Sequence, residues 1–261
     1  MADFQIIFLG TGTSQGVPMI ACHCPVCAST DPRDNRTRSS VVVQTPEAAI
    51  AVDTGPDFRT QCLRERIEAL DAVIYTHAHT DHIMGFDDLR RFCDLHAENK
   101  MPIYASPETM TALKRCFQFA FDGSARFPGY INPEPHVVEG PFWIGETEIT
   151  PLPVPHGSIL VNGYLFTRHG RRLFAYLSDC KAVSPEIREQ IAGVEVLCVD
   201  ALRHRPHPTH MSLDEALEVA AAVRPGQTFL THLCHDLGHA VTEKTLPVGV
   251  RIAFDGLRIA L

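Results

Sequence analysis

Residues 76–82 read Thr-His-Ala-His-Thr-Asp-His and contain four side chains that commonly bind metal ions. In an extended or turning segment His77 and His79 point to one side, and Asp81 and His82 follow where the chain bends. Closely spaced imidazole and carboxylate groups are suitable ligands for zinc, manganese or iron. A metal ion that keeps one coordination position open for water or substrate is typical of a catalytic site. We therefore predict a catalytic metal site. The alternative, several buried histidines without a metal, would require a hydrogen-bonding partner for each ring.

Three more residues of ligand type occur downstream. His156 ends the run Pro-Leu-Pro-Val-Pro-His, and Asp179 and His232 each follow an apolar run that predicts a strand. We expect all three to stand in loops, where functional groups are commonly placed on a scaffold of strands and helices. They would supply the additional ligands that a site with two metal ions needs.

These positions together resemble the metallo-β-lactamase superfamily, whose signature is His-x-His-x-Asp-His followed by a His, an Asp and a His at the ends of later strands. The resemblance implies two metal ions, and it covers most of the chain. Its ligands would be His77, His79 and His156 for one ion, Asp81, His82 and His232 for the other, and Asp179 as a bridge between them. A water shared by the two ions would then be the nucleophile.

Asp53 lies at the end of the run Ile-Ala-Val, upstream of the histidine motif. The resemblance implies that its carboxylate accepts a hydrogen bond from a ligand histidine and so supports the metal site. The alternative is an Asp that forms the turn before Gly55.

Cys22, Cys24 and Cys27 bring three thiols within six residues. Such spacing in a chain that is not a small disulfide scaffold indicates a structural zinc site. A fourth ligand is required, and the candidates are His23, Cys234 and His235, of which we favour His235. The alternative is a cysteine loop that holds no metal.

The cysteine loop, the His three residues after His232, and residues 9–18 and 254–256 resemble more narrowly the cyclic phosphodiesterases of the carbon–phosphorus lyase (phosphonate) pathway. This resemblance implies hydrolysis of a small cyclic phosphodiester such as 5-phosphoribosyl 1,2-cyclic phosphate, by attack of the hydroxide shared between the ions. His210 matches a His beside the metals in that family, and we expect it to contact the phosphate or to protonate the leaving oxygen. The alternative is a His at the surface or at a helix entry. Asp81 is assigned as catalytic as well as metal-binding.

Arg203 and Arg205 precede His210 in a segment rich in arginine and histidine. A guanidinium group can clamp a phosphate with two hydrogen bonds, although arginines in loops are usually solvated. This segment therefore has two interpretations: its arginines contact an anionic group, or they are simply exposed to solvent.

A formal charge of −8 over 261 residues argues against broad adhesion to nucleic acid or to an anionic membrane. A small anionic substrate is compatible with this charge because metal ions supply local positive charge. The start of the chain has no leader-like pattern, and no apolar run approaches the roughly 18 residues of a membrane span, so we predict a cytoplasmic protein. The sequence leaves open whether the protein forms a homodimer.

Fold and ligands do not fix the substrate, because one superfamily hosts several chemistries. The alternatives are a nuclease of the tRNA 3′-processing type, another hydrolase of this fold, or a non-catalytic metal-binding regulatory module. The ligand types do not distinguish manganese from zinc or iron in the two-metal site, whereas the cysteine site favours a structural zinc.

The elements that must position these residues follow from hydrophobic patterning. Short apolar runs predict about a dozen strands, among them 4–9, 40–45, 49–52, 72–75, 102–104, 147–150, 163–167, 172–177, 195–199, 228–230 and 250–254. Helical periodicity covers 58–69, 86–97, 107–119, 185–191 and 213–223. We predict an α/β fold, an αβ/βα sandwich of two mixed β-sheets flanked by helices, in a single domain over 1–261. Residues 117–141 read as an irregular excursion, which is either a lid or dimer contact or a solvent-covering loop with no role towards substrate.

Overall fold

A computed structural model of the protein describes residues 3–96, 98–123 and 129–261. Its strands in chain order are β1 (Gln5–Gly10), β2 (Ser40–Gln44), β3 (Ala49–Val52), β4 (Ala72–Ile74), β5 (Met101–Ala105), β6 (Pro133–Val137), β7 (Phe142–Ile144), β8 (Thr147–His156), β9 (Ile159–Arg168), β10 (Arg171–Leu177), β11 (Val196–Asp200), β12 (Gln227–Thr231), β13 (Val250–Ile252) and β14 (Arg258–Ala260). Its α-helices are α1 (Phe58–Glu65), α2 (Thr80–Ile83), α3 (Arg90–Leu95), α4 (Pro107–Cys116), α5 (Gln118–Phe121), α6 (Pro185–Gln190), α7 (Leu213–Val223) and α8 (His239–Thr242).

The chain divides into two compact units, each built on its own sheet. The first contains the described residues of Met1–Leu9, Ser40–Gly140 and Arg258–Leu261, and the second contains Gly10–Ser39 and Pro141–Leu257. Two mixed sheets flanked by helices are the predicted fold class, which is confirmed. The prediction that residues 1–261 act as one domain stays a prediction.

The first unit has a seven-stranded sheet in the order β14-β1-β2-β3-β4-β5-β6. Strands β3 to β6 run parallel, while β2 pairs antiparallel with β3 and β14 antiparallel with β1. Every residue of β3 and β4 is buried, as expected for central parallel strands that are covered on both faces. Phe58 of α1, Phe92 of α3 and Leu113 of α4 pack into the apolar core of this unit.

The second unit has another seven-stranded sheet, in the order β13-β12-β11-β10-β9-β8-β7. Strands β10 to β13 are parallel, and β7 to β10 form an antiparallel meander. Its core joins Leu177, Leu197 and Leu230 from three neighbouring strands to Ile187 of α6 and Val219 of α7. Because β10, β11 and β12 are parallel, their carboxyl ends lie at one edge of the sheet.

Helix α7 has the bounds that the sequence predicts, for a local reason. The Ser212 hydroxyl accepts a hydrogen bond from the backbone N–H of Glu215, whose carboxylate accepts one from the N–H of Ser212. This reciprocal capping satisfies two N–H groups at the start of the helix. The helix ends where Arg224 adopts a left-handed conformation with φ 54°.

Strand β8 is longer than the sequence predicts, because the prolines in its second half argued against a strand. The predicted strand 147–150 continues to His156 through Pro151, Pro153 and Pro155. These prolines occupy alternate positions, so their missing N–H groups all face one side. On that side β7 pairs only with the first three residues of β8, so no ladder bond is lost. His156 is therefore the last residue of a strand, and its predicted loop position was wrong.

Other boundaries also differ. The predicted helix 58–69 ends at Glu65, and 86–97 is a 3₁₀ turn followed by α3, with its last residue outside the described part of the chain. The predicted helix 107–119 breaks between α4 and α5. The excursion 117–141 is less irregular than expected: where described, it contains α5 and the edge strand β6, which pairs parallel with β5. Its role as a lid or dimer contact stays a prediction.

None of the helices in the described residues is both long and apolar enough to span a lipid bilayer.

Candidate active site

In the first unit, strand β4 leads into the predicted metal motif, and α2 begins within it. His79 is the N-cap of α2, and Asp81 and His82 lie in its first turn, so the chain folds back over the end of β4. The Nε2 atom of His77 lies 2.9 Å from Nδ1 of His79, and Nε2 of His82 lies 3.4 Å from Oδ2 of Asp81. Ligand atoms about 2.1 Å from one ion stand roughly 2.9–3.4 Å apart, so both separations fit shared coordination.

Asp53 holds this motif in place. Its Oδ2 lies 2.7 Å from Nδ1 of His82, and its two carboxylate oxygens accept hydrogen bonds from the backbone N–H and the hydroxyl of Thr76, each at 2.8 Å. Burial raises the pKa of Asp53, and the adjacent His82 ring opposes that rise. With Nδ1 of His82 turned towards Asp53, Nε2 is the nitrogen left for a metal ion. The geometry is that expected for a residue that orients a ligand.

In the second unit, three predicted ligands come from the ends of three strands. Nδ1 of His156 lies 3.0 Å from the carbonyl oxygen of Thr209 and must donate to it, which leaves the lone pair on Nε2. Oδ2 of Asp179 lies 3.9 Å from Nε2 of His156 and 3.5 Å from Nε2 of His232. All three side chains are buried. One carboxylate oxygen thus faces two imidazole nitrogens, which suits a ligand shared between ions.

Asp53 and His232 both have left-handed backbone conformations, with φ of 63° and 57°. Residues other than glycine adopt this region at a cost, and such strain is concentrated at functional sites. Each of these residues directly follows a strand of its sheet, β3 or β12. At both residues the left-handed conformation turns the chain and changes the direction of the side chain relative to the preceding strand.

Asp200 is a site residue to which the sequence reasoning gave no role. Fully buried at the end of β11, it holds Nδ1 of His210 at 2.7 Å through Oδ2, which also accepts the backbone N–H of Cys180 at 2.9 Å. Burial raises its pKa well above the usual range, and His232 opposes that rise. The signal that could have found it is an Asp at the end of a parallel strand, like Asp179.

His210 lies among the predicted ligands of the second unit. Its ring is 4.6 Å from that of His156 and stacks on that of His232 at 4.5 Å, measured between centroids. It is buried, so the alternative of a surface histidine does not describe its surroundings. Its Nδ1 lies 2.7 Å from Oδ2 of Asp200, which fixes the orientation of the ring.

The three cysteines converge on His235 rather than on His23 or Cys234. Nδ1 of His235 lies 3.1, 3.5 and 3.6 Å from Sγ of Cys22, Cys24 and Cys27. Sulfur and nitrogen ligands of a tetrahedral zinc ion stand about 3.5 Å apart, so the group fits a closed zinc site. The backbone N–H of Cys27 donates to Cys24 and lowers its thiol pKa to about 7, whereas burial raises that of Cys27 to about 11. A bound cation would favour the thiolate in both.

Arg36 was also missed, and it anchors the loop that carries His235. Its guanidinium is 1% exposed and donates to the carbonyl oxygens of Cys234 at 3.0 Å and Leu237 at 2.6 Å, and to Oδ1 of Asp34 at 3.1 Å. Asp34 in turn accepts the backbone N–H of His239. A buried arginine with these partners fixes the chain on both sides of His235.

Arg203 and Arg205 differ in their surroundings. The Arg203 guanidinium donates to the carbonyl oxygens of Arg205 at 3.1 Å and Pro206 at 3.0 Å, which holds it within its own loop. The side chain of Arg205 is 77% exposed, with Nη2 3.8 Å from Oδ2 of Asp236. Arg203 is therefore the more ordered of the two.

Comparison with known proteins places this chain in a family. Residues 49–233 match the family model of the β-lactamase superfamily domain, and the chain belongs to that superfamily. The chain is similar to the crystal structure of a diphosphatase from the PhnP family, with a TM-score of 0.91 and 39% identity over 99% of this chain and 97% of that one. The superfamily predicted from the sequence is confirmed, and the PhnP-family structure agrees with the narrower resemblance.

Two further relatives carry other names. An octanoyltransferase of Porphyromonas gingivalis is 33% identical over 97% of this chain, which spans about half (51%) of that protein. Coenzyme PQQ synthesis protein B of Methylobacterium nodulans is 30% identical over 75% of this chain and 72% of that protein. The superfamily and the ligand-type clusters establish the class: the chain is a metal-dependent hydrolase of the metallo-β-lactamase fold.

Proposed function

We propose that the protein is a dinuclear metal-dependent phosphodiesterase that hydrolyses a small cyclic phosphodiester such as 5-phosphoribosyl 1,2-cyclic phosphate. The observation that carries the proposal is the position of Asp179, whose buried carboxylate oxygen faces Nε2 of both His156 and His232. That arrangement is expected of a carboxylate that bridges two cations. The similarity to a PhnP-family diphosphatase over nearly the whole of both chains supports chemistry at phosphorus.

The proposal keeps the ligand set that the resemblance to the superfamily implies. The assignment is His77, His79 and His156 for one ion, Asp81, His82 and His232 for the other, and Asp179 as the bridge. When bound, such a pair provides Lewis acidity, lowers the pKa of a shared water and stabilises charge on the phosphoryl oxygens. Asp53, which lies 2.7 Å from Nδ1 of His82, would hold the ring so that Nε2 is the nitrogen that binds a metal ion.

His210 is proposed to move the proton that the reaction requires. Attack of water on phosphorus breaks one ring ester bond, and the departing alkoxide oxygen must take up a proton to leave as a hydroxyl group. With Nδ1 held by Asp200 at 2.7 Å, protonated His210 carries its transferable proton on Nε2. The hydrogen bond to Asp200 fixes the orientation of the ring that would donate this proton. The product is a phosphate monoester on the opened ring.

A second candidate substrate class is a small diphosphate ester. The observation that favours it is the similarity to a diphosphatase. The in-line reaction is the same, except that the bond broken joins phosphorus to a phosphate oxygen, which is a better leaving group than an alkoxide. A long polynucleotide is disfavoured because the chain has a formal charge of −8.

The test is a metal and substrate matrix. The protein is stripped with a chelator, reloaded separately with Mn²⁺, Zn²⁺ or Fe²⁺, and assayed on ribosyl 1,2-cyclic phosphate 5-phosphate, 2′,3′-cyclic nucleotides, bis-p-nitrophenyl phosphate and a nucleoside diphosphate sugar. We expect the first substrate to give the highest kcat/KM with at least one metal. A higher kcat/KM on the diphosphate would favour the second class. A fully metallated protein inert towards all four would overturn both and favour a metal-binding regulatory module.

A further inference from the structure

Residues 204–211 connect β11 to α7 without forming a helix or a strand, and one of them contacts a proposed metal ligand. The carbonyl oxygen of Thr209 lies 3.0 Å from Nδ1 of His156, the last residue of β8. This acceptor can orient the ring only if the carbonyl group itself has a fixed position. The contacts that hold Thr209 therefore bear on how His156 meets a metal ion.

The polar atoms of Thr209 close a turn onto His207. The backbone N–H of Thr209 donates to Nδ1 of His207 at 3.3 Å, and the Thr209 hydroxyl oxygen lies 3.1 Å from the same nitrogen. Because Nδ1 accepts from the N–H, its lone pair faces Thr209, and the hydroxyl group is a second donor to it. A hydrogen bond from a side chain to the backbone two residues on is a common way to fix a turn. The hydroxyl group thus helps to set the direction of the Thr209 carbonyl group.

The methyl group of Thr209 packs against the residue that follows His156. A Cβ atom at Gly157 would lie 2.8 Å from Cγ2 of Thr209, which is closer than two carbon atoms approach without a bond. Gly157 has φ 63°, a conformation that glycine adopts freely, so glycine serves both the turn and this contact. Thr209 therefore contacts the end of β8 twice, with its carbonyl oxygen on the His156 ring and its methyl group on Gly157.

We propose that Thr209 is a positioning residue of the catalytic centre, which acts through His156 on the ion that this histidine would hold. Its hydroxyl group sets the direction of the carbonyl group, and its methyl group sets the distance to the end of β8. The inference rests on the proposed function, since it concerns one of the two proposed catalytic ions. It goes further by making the retention of a single ion depend on a side chain that is not itself a ligand.

Two substitutions separate the contacts of Thr209. Thr209→Val keeps the methyl group and removes the hydroxyl, whereas Thr209→Ser keeps the hydroxyl and removes the methyl. The metal-loaded proteins are equilibrated with increasing concentrations of chelator, and the ions retained per chain are counted by elemental analysis. We expect each variant to lose one of the two catalytic ions at an about 10-fold lower chelator concentration, the lower end of the range for residues that orient a ligand. Thr60→Val and Thr60→Ser, at an exposed position in α1, are the matched controls and should match the parent protein.

A double-mutant cycle tests the contact between Thr209 and Gly157. In the parent protein Gly157→Ala should weaken retention of the same ion, because the added Cβ meets the Thr209 methyl group. In the Thr209→Ser background this methyl group is absent, so Gly157→Ala should cause a smaller additional loss. The strain of alanine at φ 63° is present in both backgrounds and cancels in the cycle. Strictly additive losses would overturn the role of the methyl group.

A general loss of stability would have a different signature. If all three ions weaken together in both Thr209 variants, in step with a lower melting temperature, the inference is wrong. Unchanged retention of every ion would also overturn it. These measurements need no substrate, so they decide the role of Thr209 even if the parent protein hydrolyses none of the phosphate esters and the proposed function fails. A parent protein that retains only the ion at the cysteine site would overturn both.

Discussion

At the scale of single residues, the proposed chemistry depends on which ring nitrogen of each histidine carries a proton. Nδ1 of His82 faces Asp53, Nδ1 of His156 faces a carbonyl oxygen, and Nδ1 of His210 faces Asp200. In each case an acceptor fixes the proton on Nδ1. In the proposed centre Nε2 of His82 and of His156 would then bind a metal ion, and in the proposed reaction Nε2 of His210 would donate a proton to the leaving oxygen.

Asp53→Asn tests this control of the proton at His82. Asparagine keeps the size and can still accept from Thr76, but an amide N–H facing Nδ1 would force the proton of His82 onto Nε2, which then cannot bind a metal. We expect metal affinity to fall by about 10- to 100-fold, measured by competition with a chelator. Asp214→Asn, at an exposed position in α7, should leave affinity unchanged. Unaltered affinity in Asp53→Asn would contradict the role.

His210→Ala tests the proton donor. We expect kcat on an alkoxide-leaving cyclic diester to fall by about 10²- to 10⁴-fold while the metal content stays constant. On bis-p-nitrophenyl phosphate the loss should be much smaller, because p-nitrophenolate leaves without protonation. His204→Ala, at an exposed position in the same segment, is the control. A similar loss on both substrates would mean that His210 does not donate to the leaving group.

At the scale of elements, strand ends carry the site and long-range hydrogen bonds hold the adjoining loops. The Asp255 carboxylate accepts four bonds, from the backbone N–H and the hydroxyl of Thr11 at 2.9 and 2.8 Å and from those of Thr37 at 2.9 and 2.6 Å. It thereby joins the turn after β13 to the loop that leads into the cysteine segment. These bonds give Asp255 a structural role, whereas the sequence singled out the run at 254–256 only by resemblance.

Asp255→Asn should break part of this arrangement, because an amide N–H would face one of the donor N–H groups. We expect the free energy of unfolding to fall by about 2–4 kcal/mol, measured by urea denaturation. Asp214→Asn again serves as the control, with a change within about 0.5 kcal/mol. Equal stabilities of the two variants would show that the four hydrogen bonds contribute little.

Gly85 lies just after α2 and allows that short helix to approach the turn after Asp53. A Cβ atom at Gly85 would lie 2.2 Å from the carbonyl oxygen of Gly55, and the Gly85 N–H donates to the carbonyl oxygen of Thr54. Gly85→Ala should therefore destabilise the protein by about 3 kcal/mol or more and weaken metal binding, since Asp81 and His82 lie in α2. At Gly140 an added Cβ meets nothing within 4 Å, so Gly140→Ala is the control. Equal melting temperatures would refute the close approach.

At the scale of the whole molecule, metal content reports on both proposed centres at once. We expect three metal ions per chain, two at the proposed catalytic site and one at Cys22, Cys24, Cys27 and His235. Cys24→Ser should lose one ion and lower the melting temperature, because a bound structural ion stabilises only the folded state. Metal analysis and thermal unfolding provide the measurements. Cys116→Ser, at an exposed thiol, should retain three ions, and a full complement in Cys24→Ser would exclude the cysteine site.

The sequence by itself determined the types and spacing of the residues of metal-ligand type, the class of fold, and locally encoded elements such as α7. These follow from periodicity and from side chains that act on neighbours a few residues away. The strand through Pro151, Pro153 and Pro155 was missed because proline disfavours strands in general, and only its position at an unpaired edge permits it.

The tertiary structure decided the roles of Asp200, Arg36 and Asp255. Arg36 bonds a carbonyl 198 residues away, and Asp255 bonds a threonine 244 residues away. The sequence shows the same Asp or Arg whether its side chain is exposed to solvent or makes such a contact. Hydrogen bonds depend on distance and angle in space, so only the folded chain distinguishes the two cases.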